Sequence, residues 1–113
     1  MEVLDRAHRQ DFERRLVDHL YRVLGASLSV TPRANVVDAV SRGAERAFRY
    51  GVTKEKEVAA LLVVWVQWKI ERPRSAEPEW VAEILAQTDV EPGVRVRSIQ
   101  ERFSAALDAG SER

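Results

Sequence analysis

From Val3 to Leu24 the apolar residues Leu4, Phe12, Leu16, Leu20, Val23 and Leu24 recur at helical spacing, while Arg14, Asp18 and Arg22 fall on the other side. A long amphipathic helix is predicted, and Gly25 supplies its stop because glycine tolerates the left-handed backbone that closes a helix. The next stretch, GASLSVTP, reads as a loop, with Thr31 as a predicted N-cap and Pro32 in the first turn of a second helix. Val36, Val37, Val40, Ala44, Ala47 and Phe48 form the predicted buried stripe of that helix. Arg42, Glu45, Arg46 and Arg49 form its solvated flank. Gly43 leaves room for a close helix contact, and Gly51 ends the element.

Thr53 is the predicted cap of a third helix, with Glu55 and Glu57 in the first turn, where negative charge meets the positive end of the helix dipole. From Val58 to Val66 this helix is apolar. Val58, Leu61, Leu62, Trp65 and Trp68 share one face, while Ala59, Val63, Val66 and Ile70 share the opposite one. The run LLVVWV is β-branched enough for a buried strand, but the pattern continues to Ile70 and the sequence offers no second strand to pair with it. Helix is therefore expected. A membrane span needs roughly 18 consecutive apolar residues, and this run stops short, before Gln67 and Lys69. Protein must cover it instead. Two explanations compete for the doubly apolar helix. Either the other helices surround it, or part of its surface is a patch for a partner. Trp65, near the middle, is expected in the core. Trp68, beside Lys69 at the end, is expected to stay partly exposed.

ERPRSAEPEW is a proline-broken loop, after which Pro78 begins a short helix with Trp80, Val81, Ile84 and Leu85 on its buried side. QTDVEPG breaks the chain again. A last helix begins near Pro92 or Gly93 and buries Val96, Ile99, Phe103 and Leu107, leaving the polar tail DAGSER. The predicted fold is all-α, a compact bundle of about five helices around an apolar central third helix, in a single domain over residues 1–113. A chain of this length can bury one core without disulfides or a structural metal.

Charge and composition narrow the function. Eighteen basic and eighteen acidic residues cancel to a net charge of +0, so no global field draws the chain to nucleic acid or an anionic membrane. Neither is an expected partner. Cysteine is absent, which removes thiolate chemistry and fits a reducing compartment. The densely charged MEVLDRAHRQDFERR has no apolar h-region, so no Sec leader is expected and the expected location is cytoplasmic. His8 and His19 lie about three turns apart on the first helix, too far to share a metal, and read as edge-of-core histidines. No P-loop, G-x-S-x-G or G-x-G-x-x-G motif occurs. Glu13, Asp18, Glu45 and Glu101 stand among arginines at helical spacing, where surface ion pairing accounts for them. No enzymatic activity, cofactor or metal is expected. Gly51 between two helices loosely suggests a helix-turn-helix, but VAALLVVWV has no row of Arg, Asn or Gln to reach base edges.

What remains is recognition of another protein. Trp and Arg are enriched in interface hot spots, and the candidate partner-binding residues are Trp68, Arg72, Arg74, Trp80 and Tyr50. The order of segments FERRLVDHLYRVL, RGAERAFRYGVTKEKEVAALLVVWVQWKIE, PEWVAEILAQ and RVRSIQERF resembles a group of small helical bacterial proteins encoded beside type VI secretion cargo genes. These sit next to the VgrG spike, PAAR proteins, toxic effectors and the Tap family of adaptor chaperones. RAFRYGVTKEKEV is similar to the pattern that opens the group's central helix, and PEWVAEIL to its Pro, Trp and Ile-Leu pattern. Where the group commonly has a Gly and an acidic Phe-Asp stretch, this chain reads KIERPRSAEP. The resemblance implies a non-enzymatic accessory that binds a Tap-type adaptor, with the effector it carries as a further contact, and supports effector loading onto the spike. The alternative expectation is an immunity protein that binds and neutralises a co-encoded toxin.

Overall fold

Two glycines turn the chain where the pattern places them. Gly25 (φ 45°) follows the first helix and Gly51 (φ 80°) the second, both in the left-handed region that glycine adopts without a Cβ penalty. At Gly51 its N–H donates to Phe48 O (3.0 Å) and the N–H of Val52 donates to Ala47 O (2.9 Å), a Schellman closure that turns Val52 into the core.

The computed structural model describes residues 6–111. Five helices follow in order: α1 (Arg6–Leu24), α2 (Arg33–Arg49), α3 (Glu55–Glu71), α4 (Glu79–Leu85) and α5 (Pro92–Ser111). A single 3-10 turn, Gly25–Leu28, joins α1 to α2, and the described residues contain no strand. The fold is thus an all-α bundle. The predicted start of α1 at Val3, with Leu4, lies outside the described residues.

Helix α3 packs against α1, α2 and α5, and α4 packs against α5. The core follows from that arrangement. Phe12, Leu16 and Leu20 from α1 and Val36, Val40, Ala44 and Ala47 from α2 meet Val58, Leu61 and Leu62 of α3. Val96, Ile99 and Phe103 of α5 close the other side, with Val81 and Leu85 of α4 beneath them. The second apolar face of α3, with Ala59, Val63, Val66 and Ile70, is only half-buried.

Several expected details are corrected. GASL is not a loop: its tight 3-10 turn folds Leu28 inward to 2% exposure. Pro32 and Lys54, not Thr31 and Thr53, occupy the N-cap positions, because the extended backbone runs one residue further in both cases (ψ 137° and 133°), and neither cap bonds through its side chain. Val23 and Val37 lie at the margins of their stripes and are exposed, while Val17 takes an inner position on α1. His8 is exposed and His19 half-buried. Trp65 is half-buried, like Trp68, because the α2–α3 seam opens beside it.

That seam is close at Gly43, where an added Cβ would overlap Cδ2 of buried Leu62 and reach the Trp65 ring. Gly43→Ala gains roughly 1 kcal/mol of helix propensity but overpacks the seam by about 1–3 kcal/mol. A net loss of stability is expected in urea denaturation. A stabilised variant would show that the two helices are not held at this distance.

Candidate functional site

The site begins with a buried cation. Arg95 is 3% exposed on α5, and its guanidinium donates to Val90 O (2.9 Å), Tyr50 O (2.9 Å) and Leu85 O (2.6 Å). Tyr50 caps the C-terminus of α2, and Leu85 is the last residue of α4. Two of these carbonyls, at helix C-termini, carry the negative end of a dipole, and Val90 O from the connection before α5 completes three backbone oxygens around the charge. The contact locks the ends of α2 and α4 against α5.

On that platform three aromatic rings from three helices meet. Phe103 of α5 is buried, with Trp68 of α3 edge-on at 5.1 Å between centroids (78°) and Trp80 of α4 at 5.2 Å (64°). Such edge-to-face pairs are favoured by the ring quadrupole. Two arginines cover the outer faces: Arg72 lies 5.9 Å from the Trp68 centroid and Arg102 4.6 Å from that of Trp80. Cation–π contact suits both. Both indole rings stay half-buried at the solvent boundary.

A second group sits on the α2 side of Trp68. Arg46 stacks 4.7 Å over Trp65 and grips Glu77 in bidentate fashion, Nη1–Oε1 at 2.6 Å and Nη2–Oε2 at 2.7 Å. This pair fastens the loop between α3 and α4 to α2. The hydrogen bond from Arg46 to Glu77 raises the guanidinium pKa above its ordinary value, against the opposing effect of burial. Beneath the latch lies a cleft of about 240 Å³ with Leu62, Trp65, Val66 and Trp68 among its lining residues. The indole N–H groups of Trp65 and Trp68 are shut off from solvent with no acceptor among the described residues.

Of the five expected site residues, the structure brings together Trp68, Arg72 and Trp80 around Phe103. Arg74 stands exposed in the α3–α4 loop. The Tyr50 side chain shares a groove with Arg42, Glu45, Arg46 and Arg49, and the residue joins the site through its backbone carbonyl, which accepts from Arg95. Phe103, Arg102, Arg46 and Glu77 were not expected there. Phe103 was legible only as a core position, while Glu77 in a proline-rich loop carried no signal of its partner 31 residues earlier.

Elsewhere the charges pair both within a helix and across helices. Arg9 bonds Glu13 (2.9 Å) and Glu45 (2.8 Å), and Arg15 bonds Glu55 (2.5 Å). Among the described residues no group of three or more His, Cys, Asp or Glu side chains is arranged to hold a metal, and no helix is long and apolar enough to cross a membrane. No protein-family model, no curated protein and no solved structure matches this chain.

Proposed function

We propose that this chain is a non-enzymatic accessory of type VI secretion that binds a Tap-type adaptor chaperone in the cytoplasm and helps it hold an effector for loading onto the VgrG spike. The observation that carries this reading is the Trp68–Phe103–Trp80 cluster with Arg72 and Arg102 over its outer faces. Half-buried indoles on a rigid platform contribute large contact area at little further entropic cost, and guanidiniums at the rim add directional donors. That is the composition of an interface hot spot. The sequence resemblance supplies the identity of the partner; the surface supplies a means of holding it.

The test is co-expression with a Tap-type adaptor, followed by size-exclusion chromatography. Co-elution at micromolar concentration is the expected result. Separate elution of the two proteins would overturn the proposal.

A further inference from the structure

Trp65 and Trp68 present a donor problem that the fold leaves unsolved: two indole N–H groups out of solvent, both belonging to residues that line one cleft, and no acceptor for either. Buried donors are normally paired. The charged residues of the same cleft lean the same way. Arg42, Arg46 and Lys69 share the cleft wall with Glu77, and the adjoining groove holds Arg49 and Glu45, the latter bound to Arg9 at 2.8 Å. Asp38 does approach Arg42 at 3.0 Å, but those side chains are 58% and 81% exposed, where such a pair is worth little. The cleft is therefore apolar at its base and short of acceptors and negative charge at its rim.

We propose that the α2–α3 cleft takes an acidic peptide segment of the partner, seated by an aliphatic side chain and held by a carboxylate that replaces Glu77 on Arg46. The proposal rests on the reading above of this chain as a partner-binding protein, and it names the chemistry of the segment bound. Three features converge on it. Leu62, Val66 and the two indoles offer an apolar seat, and about 240 Å³ is room for one or two side chains but not for a nucleic-acid strand. The rim cations complement acidic residues flanking that anchor. The bidentate Arg46–Glu77 pair shows that the cleft already accepts a carboxylate in fork geometry, so an incoming carboxylate exchanges like for like. Exchange frees Glu77 and with it the loop that carries Ser75, another residue of the cleft wall. The peptide backbone then brings carbonyl acceptors to a cleft whose own side-chain acceptors are Ser75 and Glu77.

The experiment is selection of short random peptides displayed on phage against the full chain, followed by fluorescence titration of the selected peptides. Expected is a consensus of Asp or Glu beside an aliphatic residue, with affinity about tenfold weaker for Arg46→Glu, the scale of losing a close interfacial charge pair. Lys69→Glu, a change at an exposed position, should weaken binding in the same direction without affecting the fold. Glu77→Gln should strengthen binding, because the competing carboxylate is gone. Arg14→Glu, on the outer side of α1, should have no effect. A neutral or basic consensus, no selected peptide, or an acidic consensus indifferent to Arg46→Glu and Lys69→Glu would overturn the proposal. The two readings fail separately. An adaptor that binds the Lys69→Glu and Arg46→Glu chains undiminished removes the cleft and leaves the adaptor reading. Acidic peptides selected by a chain that ignores the adaptor do the reverse.

Discussion

Replacing Arg95 by alanine is expected to destabilise the protein by about 3–5 kcal/mol, because it leaves three backbone acceptors without their donor. Three carbonyls, Tyr50 O, Leu85 O and Val90 O, would lose their donor together. A buried acceptor left unpaired costs roughly 1–3 kcal/mol, and partial relaxation keeps the total below the sum. The effect should reach beyond the local contact, since the ends of α2 and α4 are both tied to this guanidinium. Arg95→Lys should recover only part of the loss. An ammonium keeps the charge but lacks the planar fork that serves three oxygens from one side chain. Urea denaturation of the three proteins gives the comparison, and a loss under about 1 kcal/mol for the alanine variant would mean that these carbonyls are satisfied in another way.

Phe103→Ala should be similarly severe, about 3–5 kcal/mol for a large-to-small change at a buried aromatic. Phe103 is 3% exposed and touches both Trp68 and Trp80 edge-on. Each aromatic pair adds about 0.5–1.5 kcal/mol beyond the area buried. Phe103→Leu keeps most of the apolar volume and loses the ring edges, so it separates the two contributions; a loss of about 1–2 kcal/mol is expected. Near-ultraviolet circular dichroism should register the altered tryptophan environment in both variants. An unchanged aromatic signal in folded Phe103→Leu would contradict the placement of Phe103 between the indoles.

The dependence of Trp68 on Phe103 also revises the expected contrast between Trp65 and Trp68. Helical periodicity assigns residues to faces, and it located the stripes of α1, α2 and α5 because each has one neighbour-facing side. On α3 it could not say which of two apolar faces meets a helix and which stays half open, since that depends on the docking of α5. Trp65 and Trp68 both line one seam, and both are half-buried.

Leu28 and Val52 were missed for a different reason. Both are swung inward by turns, a 3-10 turn and a Schellman closure, whose geometry lies outside helical periodicity. Arg95 was more legible than it looked. It stands four and eight residues before Ile99 and Phe103 on the same buried stripe, and its charge disguised an inner position. The Arg46–Glu77 latch had no such signal, because nothing local links an α2 arginine to a loop glutamate 31 residues on.

The arginines over the indoles offer the cleanest separation of binding from folding, since Trp68 and Trp80 themselves pack on Phe103. Arg102 is exposed and Arg72 only half-buried, so removing their two cation–π contacts should cost roughly 0.5–1 kcal/mol each and leave the chain folded. Calorimetric titration of the proposed Tap-type adaptor with the wild-type chain and with the Arg72→Ala, Arg102→Ala double variant is the decisive measurement. A stoichiometric complex with the wild-type chain is expected, weakened by about 2 kcal/mol or more in the double variant, which stays folded at the temperature of the titration. No complex with the wild-type chain, or one whose affinity survives loss of both arginines, would contradict the assignment of this aromatic surface to the adaptor.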